Sequence, residues 1–399
     1  MKRILVILFA VGLSLAATLH SIAQVTRLGA PDIALSVFPS EPMALAVKAD
    51  AEAANSVKDP TRLGLARDNA RRSLAAQGLN PSALRILAFD SLVSGKPELS
   101  RRLALLATQA SRREAGAQLM LIEDAVARDD VEGALKHYDL ALRSSAGSRT
   151  LLVPLLAGAL EDERINASLA PYIKQRPDWL CAFLDGAIPV TPDPSAIARL
   201  VQRSGGWPAG PTYRNLQTAL FARMLEKEQF DSLKRSYLAL KGADKSLLTS
   251  PALTAQSVSA DQGVLAWRSL GSASAGFDVV TETGKAPELR FFAGSGDRAI
   301  VAQKLMFLTP GAYRFSAQFG RALLSGGSGL RWSATCLGAN SAGMFWKTEA
   351  LTPRDDTSFG ATVNVPGNCA AQALYVEMIG GESQSGAEIL LKAVSLSRL

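Results

Sequence analysis

The chain has 399 residues, with 43 Lys and Arg against 36 Asp and Glu, for a formal net charge of +7. Hydrophobic residues make up 48% and charged residues 20%, which excludes a disordered chain and suggests a folded body of two or three domains. There are only two histidines, His20 and His137. Histidine is the usual general base near neutral pH and the commonest metal ligand. With no CxxC and no phosphate-cradling glycine loop besides, the sequence argues against a typical metalloenzyme, triad hydrolase or kinase. No catalytic residue, metal site or cofactor is expected.

Lys2 and Arg3 precede an apolar run over residues 4–19, and small residues follow at Ser21 and Ala23, spaced as the −3 and −1 positions of a cleavage site. Residues 1–24 therefore read as a signal peptide or an uncleaved membrane anchor. The run alone is short for a span, which needs roughly 17–25 apolar residues, and extension to Val25 makes it long enough. Either way the body faces an exported compartment, with membrane contact only through this segment. That places the protein in the periplasm, or on the inner membrane facing it. Export leaves no role for nucleic acid. The basic balance instead suits anionic polysaccharide, lipid headgroups or an acidic protein surface. The pairs Arg71-Arg72, Arg101-Arg102 and Arg112-Arg113 read as solvated helix faces.

Near residue 250 the composition changes from Leu- and Ala-rich helical spacing to Gly- and Ser-rich alternation, so a helical domain over 31–250 should precede a β domain over 255–399. The helical part repeats at 34 residues. Leu87, Leu121 and Leu155 form one series, and Ala88, Ile122 and Leu156 a second. Ser91, Ala125 and Ala159 form a third, and Ala104, Tyr138 and Tyr172 a fourth. This period and order resemble the tetratricopeptide repeat, with residues 115–148 the cleanest copy. An irregular helical array with the same packing period is the alternative. Trp207, in a Gly- and Pro-rich loop over 204–211, reads as a plug at the end of a helix pair or as a partner contact. His137 reads as solvent-facing. Its near neighbours on the helix do not face it, and no GxSxG accompanies it.

After residue 254, strands are predicted at 264–270, 277–282, 288–293, 299–308, 312–320, 329–337, 358–365, 373–379 and 387–396. Short strands without helical interludes indicate an antiparallel β-sandwich or jelly roll. Alternation puts Tyr313, Phe315, Ala317 and Phe319 in the core with Leu330, Trp332, Ala334 and Cys336, and leaves Arg314 and Arg331 on the polar side.

The stretch Leu308-Thr309-Pro310-Gly311-Ala312-Tyr313-Arg314-Phe315, with Ala266-Trp267-Arg268 and Gly276-Phe277 before it, resembles carbohydrate-binding-module-like jelly rolls. Together with Pro177, Trp179, Phe183 and Leu184, the whole arrangement is similar to a group of bacterial envelope proteins. These carry an N-terminal anchor, tetratricopeptide-like helices and a terminal β-sandwich. The resemblance implies an architecture and transfers no functional residues.

Cys336 and Cys369 are expected to pair in an oxidising compartment, leaving Cys181 as a buried, inert thiol. For a glycan, the expected platform is Trp346 beside Phe345 in a polar loop. Arg331 and Arg314 on the polar sheet face are second choices suited to an acidic sugar. A Trp closing the open end of the sandwich is the alternative. The function read from these features is a non-enzymatic envelope adaptor, whose helical repeats bind a protein and whose sandwich is a candidate binder of anionic surface polysaccharide. A purely structural scaffold is the alternative. A carboxylate-based glycan-active enzyme ranks below both, because Asp355-Asp356 is the only acidic cluster of the β half and lies in a turn-like loop.

Overall fold

The computed structural model describes residues 2–144, 146–339, 341–382 and 386–399, and the side chains of residues 2–6, including Lys2 and Arg3, lie outside that description. The chain forms two compact units, Met1–Phe183 and Leu184–Leu399.

The first unit is helical: α1 (Lys2–Thr26), α2 (Pro31–Val37), α3 (Pro42–Asn55), α4 (Arg62–Ala76), α5 (Pro81–Val93), α6 (Pro97–Ala110), α7 (Ala115–Ala127), α8 (Val131–Ser144), α9 (Ala146–Ala159) and α10 (Glu163–Lys174). Prolines at the first helical turn start α2, α3, α5 and α6, where the missing N–H costs nothing. The side chains of Glu41, Asn80 and Asp162 cap α3, α5 and α10 by accepting from the backbone N–H of Ala44, Ala83 and Arg164. Small residues set the helix spacing. Ala46, Ala49, Ala66, Ala70 and Ala83 are fully buried in one cluster with Ile86. Within α1, the stretch Ile7–Thr26 is long and apolar enough to cross a membrane. Its last turns leave that pattern, because Ala23 is fully buried against Ala34 and Ala44.

The pairs α5–α6 and α7–α8 recur 34 residues apart from start to start, whereas α9 begins 31 residues after α7. The Leu series feels this shift. Leu121 is buried and Leu155 is 57% exposed, with Leu156 buried instead. Trp179 is also buried, donating its indole N–H to Asp139 Oδ1 at 2.8 Å and standing edge-on to Phe183 at 5.8 Å.

The second unit opens with α11 (Leu180–Val190, shared with the first), α12 (Pro194–Arg203), α13 (Pro211–Glu226), α14 (Phe230–Leu238), α15 (Ser246–Thr249) and a 3₁₀ turn over Ala260–Leu265. Ten strands follow: β1 (Trp267–Ser269), β2 (Ala275–Val280), β3 (Glu288–Ala293), β4 (Arg298–Met306), β5 (Gly311–Leu323), β6 (Gly329–Cys336), β7 (Met344–Lys347), β8 (Ser358–Val365), β9 (Gln372–Ile379) and β10 (Ala387–Arg398). They form two five-stranded antiparallel sheets, ordered β1-β4-β9-β6-β7 and β2-β3-β10-β5-β8. The helices-then-sandwich order read from composition is therefore the observed fold class. The change of element type at residue 250 falls inside the second unit, so α12–α15 fold with the sandwich.

Alternation builds the core between the sheets. Phe315, Ala317 and Phe319 of one sheet meet Leu330, Trp332, Val376 and Met378 of the other. Phe315 stands edge-on to Trp332 with ring centroids 5.0 Å apart. Among the described residues, one lysine side chain enters the interior. Lys304 of β4 has no exposed surface, and its Nζ donates to the carbonyls of Leu247 at 2.8 Å and Leu265 at 2.5 Å. Phe307 N donates to Leu248 O and Trp267 Nε1 to Pro251 O, so residues 247–265 are strapped to the sheet by several bonds.

Candidate functional site

The outward face of the β1-β4-β9-β6-β7 sheet follows from the same alternation that fills the core. On β9, Leu374, Val376 and Met378 point inward and Tyr375 and Glu377 outward. On β6, Arg331, Ser333 and Thr335 share the outward side. Cross-strand partners project to one face, so Arg268, Gln303, Tyr375, Ser333 and Lys347 form one row across all five strands. At a strand spacing of about 4.8 Å this row is roughly 19 Å long. Gln303 Nε2 donates to Tyr375 Oη at 3.2 Å and holds the half-buried ring near the middle of the row.

The next row is ionic. Glu377 accepts from Arg298 Nε at 2.8 Å and from Arg331 Nη1 at 2.9 Å. Burial raises the Glu377 pKa, but hydrogen bonds and charge from the two guanidiniums outweigh it and hold the carboxyl below its ordinary value. The same hydrogen bond raises the pKa of Arg298. One carboxylate cannot neutralise two guanidiniums, and Arg268 and Lys347 add exposed charge to the same face. The result is an aromatic ring among amide and hydroxyl groups in a positive field. Such a surface can stack on the C–H face of a sugar, hydrogen-bond its hydroxyls and attract its carboxylates.

The four residues expected to form a glycan site are not brought together. Trp346 lies on the strand β7 and not in the expected loop. There it stands opposite the inward Ala334. The small Ala334 leaves room for the indole to tilt onto Phe315 at 5.1 Å, and both Phe345 and Trp346 pack half-buried against the core. Trp346 is therefore a packing residue and not a loop-borne platform. Arg331 is committed to Glu377 and only 15% exposed. Arg314 lies on β5, on the outward face of the opposite sheet, beside an open trough of about 400 Å³ over Gly360. Charges on that face pair locally, Arg290 with Asp278 at 2.5 Å and Lys392 with Asp356 at 2.6 Å. Sequence reasoning missed Tyr375, Gln303 and Glu377, although the alternation of residues 373–379 places Tyr375 and Glu377 outward.

Other expected features are visible. Cys336 and Cys369 are disulfide-bonded, with Cα atoms 5.2 Å apart, and Cys181 is free but half-buried where a buried thiol was expected. His137 is not solvent-facing. It is half-buried, and its Nδ1 lies 2.7 Å from Oε1 of the buried Gln118 on the neighbouring helix α7. Burial, with help from Lys136, lowers its pKa. Asp355 Oδ1 accepts from Ala322 N and Asp356 pairs with Lys392, so both members of the acidic pair tie their loop to β5 and β10.

No family model matches the sequence, and no curated protein matches it. Solved structures do match over the sandwich. A family 16 carbohydrate-binding module is 15% identical over 37% of this chain and 99% of its own, with a TM-score of 0.27. A xylan-binding CBM22 domain from Paenibacillus barcinonensis is 12% identical over 38% of this chain and 95% of its own, with a TM-score of 0.26. An arabinose-bound arabinofuranosidase is 16% identical over 38% of this chain, which spans only 25% of that enzyme, with a TM-score of 0.26.

Proposed function

We propose that the protein is an exported, non-enzymatic adaptor of the cell envelope, held at the membrane by α1, whose sandwich binds an acidic surface polysaccharide and whose helix pairs bind a protein. The observation that carries the glycan reading is the Arg268-Gln303-Tyr375-Ser333-Lys347 row beside the Arg298-Glu377-Arg331 cluster. It combines one sugar-stacking ring, neutral hydrogen-bonding groups and surplus positive charge on a continuous sheet face. The 34-residue recurrence of α5–α6 in α7–α8 supports tetratricopeptide-like pairs as the protein-binding half. The structural duties of Asp355 and Asp356 support the non-enzymatic reading. A continuous helix through Ser21 and Ala23, with Ala23 packed on Ala34 and Ala44, supports an anchor that is retained.

The test is binding of the full chain, in detergent, to immobilised polygalacturonate and to a neutral glucan. The acidic polymer should be retained, with affinity falling as salt rises. Tyr375→Ala should weaken binding at least tenfold, and Arg268→Gln with Lys347→Gln should flatten the salt dependence. Trp346→Ala should leave binding unchanged. Equal retention of wild type and Tyr375→Ala would move the site off this face. Retention of neither polymer would favour a scaffold without glycan.

A further inference from the structure

The Trp207 loop belongs to the second unit and joins α12 to α13. Gly205 and Gly206 adopt positive φ of 93° and 92°, and Gly210 adopts 125°, so the loop turns through conformations open to glycine and hostile to other residues. Trp207 is half-buried at its tip and has space on two sides. Toward the helices it borders a cavity of about 190 Å³, lined by Val201, Leu220 and Phe221. Toward the strap it borders a cleft of about 620 Å³, within the range of small-molecule sites. Trp207 lines the first cavity without filling it.

The cleft is lined by Gln217 of α13, by Gln256 and Gln262 of the strap, and by Lys241 after α14. Among the described residues, the side chains of Trp207, Gln217, Lys241, Gln256 and Gln262 make no hydrogen bond or ion pair. Arg214 reaches Asp261 across the rim at 3.9 Å. The opposite wall is already committed, because Tyr237 Oη is bonded to the backbone of Asp244. A Cβ on Gly263 would strike Thr218, so α13 and the strap approach closely beside the cleft.

We infer that this cleft is a second ligand site, which binds an oligosaccharide with one pyranose face on the Trp207 indole. Three primary amides supply both donors and acceptors, the pairing that sugar hydroxyls require. Lys241 stands free for a carboxylate, so a uronic acid residue fits better than a neutral one. The site does not depend on the sheet-face reading, since no residue is shared.

The test is calorimetric titration of the full chain in detergent with trigalacturonate and with maltotriose, followed also by tryptophan fluorescence. Trigalacturonate should bind saturably and shift the emission. Trp207→Ala should weaken the binding event that shifts the emission at least tenfold and remove the fluorescence change, while Trp207→Phe should retain part of the affinity of that event. Lys241→Gln should narrow the preference for the acidic sugar. Tyr375→Ala serves as the control for the sheet face and should leave one binding event and the emission shift intact. An unchanged melting temperature for Trp207→Ala would show that the fold survives. Saturable binding unaltered by Trp207→Ala, or no saturable binding of either trisaccharide, would overturn the inference.

Discussion

The wild-type protein should gain stability as pH rises above neutral, and replacing Lys304 by Met should abolish that gain. Burial lowers the Lys304 pKa from 10.5 to about 7, only partly opposed by the Asp244 carboxylate. The neutral amine still has two N–H groups, enough for the short bonds to the carbonyls of Leu247 and Leu265. The folded pKa lies below the unfolded one, so between about pH 7 and 10.5 the unfolded chain holds a proton that the folded chain lacks. Stability therefore rises with pH across that window. Each pH unit is worth at most about 1.4 kcal/mol, giving a gain of roughly 2 kcal/mol from pH 7.5 to 9.5 in the wild type. The assay is urea unfolding of the full chain at three pH values, followed by tryptophan fluorescence. Lys304→Met should lose the slope and also cost about 1–3 kcal/mol at pH 9.5 for each carbonyl left without a donor. Parallel slopes in wild type and variant would refute the reasoning.

Replacing both Cys336 and Cys369 by Ser opens a loop of 33 residues and should destabilise the second unit by about 4 kcal/mol; urea unfolding measures the loss, and non-reducing alkylation of the wild type should label Cys181 alone. Trp346→Ala removes a half-buried ring from Phe315 and should cost about 2 kcal/mol by the same measurement, below the range for a fully buried Trp. Trp179→Phe leaves the Asp139 carboxylate without its indole partner and should lower the stability of the first unit by about 1 kcal/mol, read by its own thermal transition. Mass spectrometry of the chain recovered from membranes should find residues 1–26 still attached. A mature N-terminus at Gln24 would restore the signal-peptide reading.

The sandwich was legible wherever apolar residues alternate over six or more positions. Residues 288–293 and 358–365 were placed at their observed bounds, and the core assignment of Phe315 and Trp332 holds. β7 escaped because four residues, Met344–Lys347, are too few to display a period, and its pairing with β6 is interrupted by a bulge. That single omission turned Trp346 from a core residue into an apparent loop platform. The separation of Arg314 from Arg331 was equally invisible. Alternation gives the side of a strand but not the sheet to which the strand belongs, and β5 and β6 are consecutive in sequence yet lie in different sheets. Lys304 could not be anticipated either, since its burial depends on carbonyls 39 and 57 residues away.

The strap has a bearing on how such a chain can be rearranged. Phe307, Trp267 and Lys304 all draw on acceptors between Leu247 and Leu265, and Ala339 N donates to Glu228 Oε2 at 3.0 Å. A sandwich severed at residue 250 would lose Leu247 and Leu248, leaving Phe307 N without its acceptor and the Lys304 amine with the Leu265 carbonyl but without that of Leu247. It is thus not a portable module of the kind that is shuffled between unrelated proteins by recombination at a flexible linker. Tension applied at α15 would pass through the Leu247 and Leu248 carbonyls into β4, inside its sheet, and not be absorbed by a slack joint.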